Sequence, residues 1–273
     1  MQPALSQVCS LHSRFEQDVE DFAAGQCRAI EIWLTKLEEY VKRNSVAAAR
    51  ALLAEHGVVP VSGSFQGGLL ASQGESRRAA WDLFEQRLDL CRAVGIPLLV
   101  IAGDIPPPLD QATIERVQVS LQQAAQAAGR RGLRVALEFQ ARAAFGNNLQ
   151  TAAALVAEVG SPHLGLCLDL FHFYVGPSKT EDLGLLGPHN LFLVQLSDLA
   201  DTPREFAADA DRILPGEGDI PLQPLIEHLR TIRYQGPVTI ELLNPQIWQV
   251  PPRQFGEIGL TALRMILGQA EKA

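Results

Sequence analysis

The feature that most constrains this chain is an alternation. Short apolar runs of strand character recur eight times, separated by longer stretches of helical period. The runs fall at residues 6–10, 29–34, 58–63, 98–103, 134–139, 164–169, 191–197 and 237–242. Helical spacing occupies 15–25, 46–56, 75–94, 113–131, 151–159, 221–232 and 255–267, with a shorter piece at 181–186. Strands that alternate with helices form βαβ units, whose strands pair in parallel. Gly57, Gly95, Gly129 or Gly132, and Gly160 each follow a helical run, where a residue tolerant of positive φ closes a helix. Eight such units predict a (β/α)8 barrel, an α/β fold formed as a single domain over residues 1–273. An open doubly wound sheet would advertise a Gly-rich phosphate turn after its first strand. The nearest stretches, SGSFQGG at 62–68 and PGEG at 215–218, match neither the dinucleotide fingerprint nor the P-loop.

Composition sets the outer limits. With 47% hydrophobic and 20% charged residues, the chain can fill a large core. A formal charge of -8 repels phosphate backbones, so nucleic acid is not expected as a partner. Cys9, Cys27, Cys91 and Cys167 lie far apart and lack CxxC spacing, which predicts buried free thiols rather than a zinc knuckle or a disulfide frame. The chain shows neither a leader-like start nor an 18-residue apolar run, so the expectation is a cytoplasmic protein with no membrane contact.

The chemistry gathers where strands end. Along a barrel strand, side chains alternate between the interior and the surrounding helices, and catalytic groups collect at the C-terminal ends. RVALEF places Glu138 there, LGLCLD places Asp169, LFLVQLSD places Gln195 and PVTIEL places Glu241. The residues two positions earlier, Ala136, Cys167, Leu193 and Thr239, are small or apolar, as a filled interior requires. An isolated acid at a strand end is more often a helix cap or an ion-pair partner, and Asp198 and Asp219 are read that way. Glu31, on the second strand, reads as a buried structural acid. Four oxygen-bearing side chains in one register on successive strands point instead to a shared ligand. Two carboxylates about 4 Å apart repel by about 4 kcal/mol at an effective dielectric of about 20, so three of them call for a cation. Three carboxylates and one amide oxygen suit Mn2+ or Mg2+, with Zn2+ less favoured. The long polar stretch 197–219 is expected to be a functional loop. His12 could line the mouth of the barrel, and Trp33 and Trp248 could cover an apolar substrate face or serve simply as packing.

These strand endings resemble the xylose-isomerase-like barrels, a family that includes inosose isomerases, ketose 3-epimerases, dehydroshikimate dehydratases and endonuclease IV. The likeness spans nearly the whole chain and is carried by ALEF (136–139), GLCLDLFHF (165–173), VQLSD (194–198), DRILPGEGDI (211–220) and YQGPVTIEL (234–242). Among the members, it is greatest to the inosose isomerases, with their Glu-ending strand, LDxFHF segment and RxxPGxG turn. The resemblance implies that Glu138, Asp169 and Glu241 bind metal and that Glu138 and Glu241 exchange protons with the substrate. Gln195 falls where many members have a metal-binding His. His172 corresponds to a substrate-facing histidine and Arg212 to an arginine that contacts substrate oxygens. From the residues alone, His172 also reads as a cap or as an aromatic neighbour of Phe171 and Phe173, and Arg212 as a solvated loop charge. Gln140 stands where dehydratase-like members carry a His.

The implied activity is metal-dependent isomerisation or epimerisation of a ketose- or inosose-like polyol through an enediolate, in a chain compatible with a homodimer. A dehydratase of the 3-dehydroshikimate type is the alternative. A nuclease of the same family would need a His-rich multi-zinc site and a basic groove, and a non-catalytic barrel would need no metal.

Overall fold

The computed structural model describes residues 1–270. Its strands are β1 (Gln2–Ser6), β2 (Ala29–Trp33), β3 (Val59–Gln66), β4 (Leu98–Gly103), β5 (Arg134–Phe139), β6 (Leu164–Asp169), β7 (Leu191–Leu196) and β8 (Pro237–Ile240). They join in chain order as a closed parallel barrel. The α-helices are α1 (Phe15–Ala24), α2 (Leu34–Arg43), α3 (Val46–Glu55), α4 (Gly74–Val94), α5 (Gln111–Gly129), α6 (Leu149–Val159), α7 (Leu170–Val175), α8 (Leu222–Thr231) and α9 (Pro252–Leu267). This is the (β/α)8 architecture that the sequence predicts. Among the described residues, no helix is long and apolar enough to cross a membrane.

The contacts divide the chain into two compact units, one comprising Met1–Val61 with the segment from Val194 onward, the other Ser62–Leu193. In the first, β1 pairs with β2 (Ser6 opposite Glu31) and with β8 (Leu5 opposite Ile240), while β7 meets β8 with Gln195 opposite Thr239. Here α9 packs on α1, where Phe22 and Phe255 meet with ring centroids 6.1 Å apart. In the second unit, β4, β5 and β6 pair so that Ala102, Glu138 and Cys167 lie level on neighbouring strands. Its buried core joins Leu98, Val100, Ala136, Cys167, Phe192 and Leu193. Ala136, Cys167 and Leu193 are the residues two before Glu138, Asp169 and Gln195. Side-chain alternation therefore sets each polar residue on the same face of its strand as its core neighbour.

The first strand lies earlier than its pattern suggests. Residues 6–10 read as an apolar run, yet Gln7–Ser10 is a 3-10 turn and the strand is Gln2–Ser6. Pro3 obscures it, since proline has no N–H to give a ladder. Alternation resolves the conflict. The Gln2 amide donates toward the β8 side, to Gly236 O at 3.0 Å, so the Pro3 nitrogen faces β2, whose pairing with β1 begins only at Leu5.

Candidate metal centre

In the second unit, β5 carries Glu138 at its penultimate position and β6 ends on Asp169. Both are buried, at 5% and 1% exposure. Gly103 of β4 lets the neighbouring backbone approach, since a Cβ there would lie 3.0 Å from Glu138 O. Asp169 is the N-cap of α7, its Oδ1 accepting from the Phe171 amide at 2.7 Å. The cap directs the chain so that His172, in the first turn of α7, brings Nε2 to 3.5 Å from Glu138 Oε1 and 3.8 Å from Asp169 Oδ2. Gln140, two residues beyond Glu138, donates from Nε2 to Glu138 Oε1 at 3.0 Å. Glu138, Asp169 and His172 each offer one ligand atom in a group whose members all lie within 4.8 Å of one another. Buried oxygens and a ring nitrogen so close together have the chemistry and spacing of a metal-binding set.

In the first unit, Gln195 is fully buried near the end of β7, and Glu241 follows the last residue of β8. Both amide protons of Gln195 are committed, to Glu31 Oε1 at 3.1 Å and Glu241 Oε1 at 3.0 Å. Because a carboxylate only accepts, the two acids fix which end of the amide faces them. Arg212 is 1% exposed, which overturns its reading as a solvated charge. Its Nη1 lies 3.5 Å from Glu241 Oε2, and Nε and Nη2 both donate to Asp209 Oδ1, at 3.0 and 2.7 Å.

The loop after β7 presents that arginine. Asp198 and Ile213 form an antiparallel bridge through their backbones, and the Asp198 carboxylate accepts from the amides of Leu199, Gly216 and Ile220 at 2.9 Å each. Gly218 is needed for this closure, because a Cβ there would stand 2.5 Å from Asp198 Oδ1. Asp198 is thus a structural acceptor that ties three loop amides together. His12 and Trp248 meet edge to face at 5.4 Å, and Trp248 Nε1 donates to Val8 O at 2.8 Å. His12 and Trp33 both line a cavity of about 380 Å3.

Three partners were not expected from the sequence: the Gln140 side chain on Glu138, Asp209 on Arg212, and Glu31 on Gln195. Their signals were present only in part: Gln140 shares the alternation of Glu138, and Asp209 lies one helical turn before Arg212. None of the four cysteines forms a disulfide and all are buried, as expected.

A family model described as the xylose isomerase-like TIM barrel matches residues 22–261. The chain belongs to the xylose isomerase-like TIM barrel family. Within it, the chain is 26% identical to an inosose isomerase of Bacillus velezensis over 88% of this chain and 87% of that one. It is also 25% identical to a 3-dehydroshikimate dehydratase of Pseudomonas putida, over 96% of this chain but only 41% of the relative's length. Among solved xylose isomerase-like folds, the IolI protein with a bound zinc atom superposes with a TM-score of 0.91 at 22% identity, covering all of both chains.

Proposed function

We propose that residues 1–273 work as one barrel domain, a divalent-metal-dependent isomerase or epimerase acting on a ketose- or inosose-like polyol. The observation that carries this reading is the buried group of Glu138 and Asp169, at the ends of successive strands, with His172 of α7. The relatives named inosose isomerase support the proposed substrate class. In this reading Glu138, Asp169, Gln195 and Glu241 hold one cation, the hard oxygen set favouring Mn2+ or Mg2+. If His172 also ligates, a nitrogen enters the set and zinc is better served, in keeping with the zinc in the related structure.

When bound, the cation would draw electron density from a carbonyl and its neighbouring hydroxyl and so acidify the C–H at the hydroxyl-bearing carbon. The chain's own groups do the rest. Glu138 and Glu241 take and return the proton, and an enediolate of the substrate lies between the two transfers. Arg212 and His172 orient hydroxyls, and the buried guanidinium steadies developing negative charge on oxygen.

A dehydratase is the second reading, favoured by the match to the Pseudomonas putida enzyme along almost the whole chain. It shares the first proton abstraction and differs in expelling a β-hydroxyl. The two are separated by incubating Mn2+-loaded protein with ketohexoses, inososes and 3-dehydroshikimate in deuterium oxide. Deuterium entering at carbon without loss of water is the expected outcome. Loss of water from any of these substrates establishes the dehydratase instead, and no exchange with any of them removes both readings.

A further inference from the structure

β1 ends at Ser6 and turns into the 3-10 segment Gln7–Ser10, and its ladder with β8 stops at Leu5 opposite Ile240, one residue short of Glu241. In a parallel ladder, a strand residue donates to one carbonyl of its neighbour and accepts from the amide two residues on. Beyond Ile240, β1 supplies no such residue. The Cys9 side chain supplies both bonds instead, its Sγ–H donating to Ile240 O at 3.4 Å and its sulfur accepting from the Leu242 amide at 3.3 Å. These two groups flank Glu241, whose own amide donates to Leu196 O of β7 at 3.1 Å. The backbone carrying Glu241 is thus tied on one side by a strand and on the other by a thiol.

The thiol is itself held in place. Cys9 is 1% exposed, and the carbonyls of Gln7 and Ser10, at either end of its segment, accept from Lys36 Nζ at 3.0 and 2.6 Å. Burial above all, with the negative charges of Glu241 and Glu31 added, keeps the thiol pKa well above its ordinary value. The sulfur therefore retains the proton it donates.

We infer that Cys9 is a positioning residue for Glu241: its thiol completes the ladder and fixes where that carboxylate stands beside Gln195 and Arg212. The functional consequence rests on the reading of Glu241 as a metal ligand, whereas the bonding role does not.

The test compares Cys9→Ala and Cys9→Ser with Cys27→Ala, which removes another buried thiol, one bonded to Ala29 O at 3.0 Å. Hydrogen exchange at the Leu242 amide should quicken about tenfold in Cys9→Ala, the scale of one lost hydrogen bond, and stay at the wild-type rate in the other two. Titration of the metal-free proteins with Mn2+ alone should show Cys9→Ala binding about tenfold more weakly, with Cys9→Ser and Cys27→Ala close to wild type. Unchanged Leu242 exchange in Cys9→Ala overturns the inference. So does an equal loss of Mn2+ affinity in Cys27→Ala, which would mark a general weakening of the fold. A wild type that takes up no Mn2+ sinks the metal reading, and Leu242 exchange then decides the role of Cys9 by itself. Should Cys9→Ala fail to fold, Cys9→Ser must still protect Leu242, and loss of protection there counts against the inference.

Discussion

Two buried clusters of charge in this chain are built on different terms. In the first unit, the fully buried Asp18 has Lys36 Nζ at 2.7 Å from Oδ2, while the hydroxyls of Ser10 and Ser13 donate to Oδ1. Lys36 spends its further protons on the carbonyls of Gln7 and Ser10. In the second unit, Glu138 and Asp169 face the His172 imidazole, and Glu138 also receives the Gln140 amide, groups that carry no permanent charge. Both clusters bury acids, so burial alone does not mark a functional site. What distinguishes them is the partner: a lysine completes the first from within the chain, whereas the second has the composition of a ligand set.

That contrast predicts opposite responses to losing one charge. Glu138→Gln keeps the shape and removes the proposed proton-transfer group, so deuterium exchange into substrate should fall about a thousandfold. The metal-free variant should melt no lower than wild type, because a like charge beside Asp169 has gone. A melting point well below wild type would place Glu138 among the structural acids. Lys36→Met should behave the other way and lose about 3–5 kcal/mol of stability, since it strands Asp18 in the interior. Urea denaturation with and without Mn2+ measures this, and a loss that Mn2+ abolishes would contradict a purely internal ion pair.

A smaller effect follows from pH. Burial lifts Asp18 from 3.8 to about 6, against the pull of Lys36. Folding therefore takes up a proton at this carboxyl between those values. The contribution of Asp18 to stability is full below pH 3.8 and declines as the pH rises through about 6. The difference in unfolding free energy between wild type and Asp18→Asn should slope across that window, and a flat difference would mean that Asp18 titrates normally.

Much of the architecture was legible because strand runs such as LLVIA and LFLV are apolar on both faces, which only a strand covered by helices tolerates. The helix α2 was not legible: it starts at Leu34 directly from β2, and its N-cap position holds Trp33, which makes no side-chain cap. The polar strand ends were readable one residue at a time from alternation. Their partners were not, because the bonds from Gln195 to Glu31 and from Cys9 to the flanks of Glu241 join positions more than 160 residues apart. The environment of Arg212 was equally hidden, since nothing local announces that Asp198 folds the loop that encloses it.

The measurement closest to the central claim is the metal content of purified protein dialysed against Mn2+ and then freed of loose ions. One ion per chain is expected in the wild type and none in Glu138→Ala or Glu241→Ala, each variant still folded. A folded wild type that holds no ion, or variants that retain it in full, would contradict a cation held by these strand ends.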